Sequence, residues 1–104
     1  MIDVRSIIDL RSRMSREQAR KMISLIMKEH REGIKFSYHA EQRFQERGLL
    51  RIDVINVLAA GKIYIDAEWA DPGWRYMVQT KKITVVIAFV NPFTVIVITA
   101  WRNE

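Results

Sequence analysis

Four side chains in one short stretch have the types and the spacing to do chemistry together. In F-S-Y-H-A-E-Q-R-F-Q-E-R-G, Phe36 to Gly48, His39, Arg43 and Arg47 recur at four-residue intervals and Glu46 falls inside the same stripe. Residues four apart stand one above another on a helix, so an imidazole, two guanidiniums and a carboxylate would share one flank. Such a set can pass a proton and hold an anion, since imidazole and carboxylate are proton carriers and a guanidinium forks onto two phosphate oxygens. The stretch is also bounded as a helix should be. Ser37 is placed to N-cap it, and Gly48 to close it in the left-handed conformation that glycine adopts most readily. Phe36, Ala40 and Phe44 form a second, apolar stripe, and its burial would decide where the polar flank points.

The elements that must hold this stretch can be read on either side of it. Ser15 to Gln18 spells a capping box, S-R-E-Q, and Ala19, Met22, Ile23, Ile26 and Met27 follow at helical spacing before Gly33. The opposite face of that helix carries Arg16, Arg20, Lys21, Lys28 and Arg31, which reads as a solvated face. Met1 to Arg13, with Val4, Ile7 and Ile8, reads as a short helix or an ordered arm. After Gly48, Val54, Ile55, Leu58 and Ala59 mark a third helix that Gly61 stops. From Lys62 the pattern turns strand-like: K-I-Y-I-D-A-E-W, W-R-Y-M-V-Q-T, I-T-V-V-I-A-F-V and F-T-V-I-V-I-T-A-W-R, separated by A-D-P-G, K-K and N-P. The expectation is α+β: a helical extension over 1–34, then two short helices on a four-stranded antiparallel sheet over 35–104, one compact unit in all. The last two strands are apolar on both faces, so the Ser15 to Glu32 helix is expected to cover the face that the other two helices leave open, with a second copy as the alternative cover.

Composition narrows the function. A chain of 104 residues with 49% hydrophobic content fits one folded domain, and a formal charge of +5 favours an anionic partner such as nucleic acid or an acidic protein. Without cysteine there is no disulfide or thiolate site, and His30 and His39 alone make no metal cluster, so no metal or cofactor is expected. Asn91-Pro92, Thr84 and Thr94 interrupt the apolar run Ile83 to Ile98, which argues against a membrane span. Asp3, Arg5 and Asp9 break the apolar core that a signal peptide would need, so the expected setting is cytoplasmic.

The string S-Y-H-A-E-Q-R-F-Q-E-R-G-L, the helix ending A-A-G, the W-R-Y strand and the closing I-T-A-W-R together resemble a family of small bacterial domains of unknown function similar to BrnT-type toxins of the RelE-like ribonuclease superfamily. The resemblance covers about Phe36 to Arg102 and implies a RelE- or barnase-like fold. It further implies a metal-independent endoribonuclease toxin, with RNA as substrate and a separately encoded antitoxin as partner. Cleavage of that kind needs a base for the ribose 2′-hydroxyl proton, cations for charge gathering on the phosphate, and an acid for the departing 5′-oxygen. His39 is expected as the base, because the positive end of a helix favours the neutral, proton-accepting ring. Glu46 is the alternative base. Arg43, Arg47, Arg75 and Arg102 are the expected phosphate clamps, and Thr99 a hydrogen-bonding group for substrate or for a charged neighbour.

Each residue also has a purely structural account. Arg43 and Glu46 would form an ordinary helix ion pair, and Arg47 suits any helix C-terminus. His39 would hydrogen-bond the sheet edge, Thr99 would be a strand former, and Trp69, Trp74, Tyr76 and Trp101, which could stack on unpaired bases, would be core or interface. A non-catalytic nucleic-acid-binding protein and a protein-interaction module therefore stand as alternatives to the ribonuclease.

Overall fold

The computed structural model describes residues 9–104, so the helix-or-arm expectation for the first residues falls, for 1–8, outside the described residues. Asp9 to Ser12 forms a turn. The capping box then closes as its spacing requires: the Ser15 hydroxyl accepts from the Gln18 amide at 3.1 Å and the Gln18 side chain accepts from the Ser15 amide at 3.1 Å. It starts α1 (Arg16–Glu29), whose buried stripe is Ala19, Met22, Ile23, Ile26 and Met27. A 3-10 turn, Arg31–Gly33, leads into a short strand, β1 (Ile34–Phe36). Helix α2 (Tyr38–Arg47) begins where Ser37 accepts from the Ala40 amide at 2.9 Å and ends at Gly48, whose φ is +66°. Helix α3 (Arg51–Ala60) starts with the Asp53 carboxylate accepting from the Leu50 amide at 2.8 Å and buries Val54, Val57 and Leu58. Strands β2 (Glu68–Ala70), β3 (Gly73–Gln79), β4 (Ile83–Asn91) and β5 (Thr94–Arg102) complete the chain.

The left-handed backbone at Gly48 makes a direct prediction. A Cβ there would meet no neighbouring atom, so Gly48→Ala should cost only the conformational penalty, about 1 kcal/mol. The thermal midpoint should fall by a few degrees, and an unchanged midpoint would mean that this cap does not constrain the helix.

The sheet has five strands in the order β1-β5-β4-β3-β2, with β1 parallel to β5 and the other neighbours antiparallel. This corrects the expected four-stranded antiparallel meander in two places. The run from Lys62 to Trp69 is not a strand: Lys62 exchanges backbone hydrogen bonds with Gln79 as an isolated bridge, and regular pairing resumes only at Glu68. Between them Arg16 of α1 takes the Tyr64 carbonyl at 2.7 Å and pairs with the Asp66 side chain at 3.3 Å, so that carbonyl goes to α1 and not to β3. The added strand is β1, with Ile34, Lys35 and Phe36 opposite Val95, Ile96 and Val97.

The three helices of the described residues lie on one face of the sheet, which corrects the expected position of α1. The covered face presents Tyr76, Val78, Val85, Ile87, Val95, Val97 and Ala100, all at most 3% exposed. Helix α1 packs on α3 over this face and is tied there by hydrogen bonds: the Met14 amide to the Tyr76 hydroxyl at 3.0 Å, the Trp74 indole to the Arg11 carbonyl at 3.1 Å, and Arg20 to the Ala59 carbonyl at 2.9 Å. Burial raises the Tyr76 pKa above its ordinary value, against a smaller opposing pull from the Met14 amide. Register places Arg75, Met77 and Gln79 of β3, Thr84, Val86 and Ala88 of β4, Ile96, Thr99 and Trp101 of β5 and Lys35 of β1 on the opposite, open face. Thr84 is the one fully buried polar residue among those described, and it is satisfied by Gln79 at 3.0 Å and Asn103 at 2.7 Å. No helix of the described residues is long and apolar enough to cross a membrane.

Candidate functional site

Strand β1 stops at Phe36, and from there α2 takes over as the neighbour of β5. Its start is fixed by the Ser37 amide on the Val97 carbonyl at 3.3 Å, and its end by Arg102 on the Gly48 carbonyl at 2.9 Å, so the helix runs alongside β5 from Val97 to Arg102. Ala40 and Phe44 turn inward, with the Phe44 ring edge-on to Phe36 at 5.9 Å. On one side of that buried stripe Glu41 pairs with Arg51 of α3, and the Arg51 guanidinium lies 4.9 Å over the Phe36 ring. The stripe of His39, Arg43, Glu46 and Arg47 is left on the other side, along the rim of the open sheet face.

That rim is where the structure brings the expected residues together. Arg47 Nη1 donates to the Ala100 carbonyl at 2.7 Å and to the Thr99 hydroxyl at 3.2 Å, reaching around the β5 edge to the open face. Because Thr99 accepts from Arg47, its own O–H proton is free to point at an anion. One turn back, Arg43 pairs with Glu46 at 2.8 Å, so the carboxylate proposed as the alternative base already holds a guanidinium. His39 is exposed in the first turn with no hydrogen-bond partner among the described residues. Its expected structural role, a hydrogen bond to the sheet edge, belongs instead to Arg47.

The other two arginines are placed differently. Arg102 pairs in register with Ile83 on the helix-covered face and closes the end of α2 through Gly48, next to the rim but committed to the fold. Arg75 lies on the open face, two strand spacings or about 10 Å across from β5, opposite Glu68 of β2. The aromatic residues divide as well. Trp74 and Tyr76 are on the helix-covered side, whereas Trp101 shares the open face with Thr99. Lys35, which sequence reasoning passed over, is exposed on that same face, in register with Ile96. The alternating I-K-F before Ser37 was its signal, too short to read as a strand. Among the described residues no three His, Asp or Glu side chains gather as metal ligands would.

Residues 36–102 match the family model described as Domain of unknown function (DUF4258). The chain belongs to that family. The DUF4258 match takes in α2, α3 and strands β2 to β5, and with them every residue of the rim and the whole open face except Lys35. Helix α1 and most of β1 precede the DUF4258 segment, yet they complete its core and its sheet edge. No curated protein and no solved structure matches the chain.

Proposed function

We propose that the chain is a metal-independent endoribonuclease of the toxin type, a cytoplasmic protein acting on RNA at the rim between α2 and β5. The observation that carries this reading is an uncommitted imidazole on the same helical flank as two guanidiniums, one of which is hydrogen-bonded to a hydroxyl on an open sheet face. His39 takes the 2′-hydroxyl proton and the 2′-oxygen bonds to phosphorus while the bond to the 5′-oxygen breaks. The 5′-oxygen leaves with a proton from the imidazolium or from water, giving a 2′,3′-cyclic phosphate and a 5′-hydroxyl end. Arg43, Arg47 and the Thr99 hydroxyl hold the phosphate oxygens as charge gathers on them. The resemblance to BrnT-type toxins supports the same reading and adds a separately encoded antitoxin as partner.

A non-catalytic RNA-binding role is favoured by one observation, the Arg43–Glu46 pair, which leaves His39 as the flank's only unengaged proton carrier. Cleavage and binding are separated by incubating the protein with a defined RNA in chelator. The expected products carry cyclic phosphate ends, and intact RNA with ribosomes supplied would leave binding alone. Either role predicts salt-dependent affinity. Arg43→Ala and Arg75→Ala should each flatten the slope of log K against log salt by about 0.7 for a single strand. Arg102→Ala should also weaken the end of α2. Affinity independent of salt would remove nucleic acid from both readings.

A further inference from the structure

Away from the rim, α1 and the chain leaving α3 border a shallow, open groove of about 440 Å³. Arg16, Arg20, Lys21 and Ser24 form one wall, and Lys62 with Ile63 forms the other. Four cations and one carboxylate, Glu17, line it. Two of the cations have structural work: Arg16 holds the Tyr64 carbonyl and Asp66, and Arg20 caps the carbonyl end of α3 at Ala59. Arg20 keeps a second guanidinium nitrogen buried without a partner, so its charge is only partly compensated. Lys21 and Lys62 have no such work. Both are exposed, and neither has a carboxylate partner among the described residues. Ammonium groups brought to one groove repel each other unless an anion lies between them. Two residues on from Lys62, Tyr64 accepts from Arg16 at its carbonyl and leaves its ring 57% exposed.

We propose that this groove binds the backbone of a single-stranded nucleic acid, with phosphates at Lys21 and Lys62 and a base stacked on Tyr64. Cations with an exposed ring two residues along the chain suit an unpaired strand, whereas an acidic peptide would use the cations and leave the ring idle. One wall comes from α1, outside the DUF4258 segment, and the other from inside it, so the groove exists only where extension and domain meet. It shares no residue with the α2 rim and needs no cleavage there.

The test is anisotropy of a labelled 2′-O-methyl oligouridine, which has no free 2′-hydroxyl and so cannot be cut by its attack, titrated with the full chain over a range of salt. The double variant Lys21→Gln/Lys62→Gln should flatten the slope of log K against log salt by about 1.4, two contacts' worth for a single strand. Tyr64→Ala should lower affinity roughly tenfold at unchanged slope. Circular dichroism and thermal midpoints should match wild type, because all three side chains are exposed. Wild-type slope and affinity in the double variant would overturn the assignment, and if Arg43→Ala then weakened binding, the strand would lie at the α2 rim alone. Tighter binding of labelled polyglutamate, lost in the same double variant, would give the groove to acidic peptides and equally overturn it.

Discussion

His39→Ala should lower RNA cleavage about a hundredfold or more while leaving the fold as it is. The first half follows from the scale of general acid–base catalysis, which is lost when the proton carrier is removed. The second follows from the surroundings of His39: it is exposed and makes no hydrogen bond among the described residues, and substitutions at such positions stay within about 0.5 kcal/mol of neutral. Thermal midpoint and circular dichroism should therefore match wild type while cyclic phosphate product disappears, and growth arrest on expression should vanish with it. His39→Gln keeps a hydrogen-bonding group but carries no proton in this range, so it should fail equally. Full cleavage by folded His39→Ala would move the base role to Glu46, whose release from Arg43 would then be required for activity.

Ile23→Asp should unfold the protein or bring it close to unfolding. Ile23 is 1% exposed on the stripe by which α1 joins the common core. The change removes an apolar side chain worth about 2 kcal/mol of burial and puts an unpaired carboxylate in its place. A loss of about 4 kcal/mol or more, on the order of 20 °C in midpoint, is expected in a chain of this size. Ile23→Ala should fall by 2–5 kcal/mol, the ordinary range for emptying such a site. The comparison matters because α1 precedes the DUF4258 segment. If Ile23→Asp melted like wild type, the 36–102 unit would be stable without its extension.

The parts of this fold that announce themselves locally were legible. Ser15 with Gln18, Ser37 and Gly48 bounded α1 and α2 because caps are satisfied within a turn by side chains of fixed type. The polar stripe on α2 followed from the same periodicity, as did its separation from Ala40 and Phe44. What did not show was pairing at long range. Strand β1 is three residues, and its partner in β5 lies 61 positions on (95 − 34), so nothing near Ile34 specifies the ladder. The irregular stretch after Lys62 alternates as a strand should, but a single guanidinium, Arg16, holds its Tyr64 carbonyl from 48 residues away. The side of the sheet chosen by α1 was illegible for a related reason: both faces of β4 are apolar, and long-range hydrogen bonds, donated by Met14 and Arg20 and accepted by the Arg11 carbonyl, tie the helix to one of them. At the rim the composition was legible and the commitments were not, since spacing alone could not say that Arg47 would be bound to β5 and His39 left open.

The position of α2 as the stand-in neighbour of β5 limits how the rim can work. Among the described residues no strand lies beside the outer edge of β5 beyond Val97, and Arg47 is the one side chain on the Ala100 carbonyl. Swinging α2 outward to admit a substrate would bare that edge, which is the kind of surface on which chains add to one another. The helix is pinned at its start through Ser37, near its end through Arg47 and just beyond it through Gly48. It is therefore no lid. On the proposed function, the rim must be set before RNA arrives, and the strand being bound, with its many rotatable bonds, has to do the adjusting.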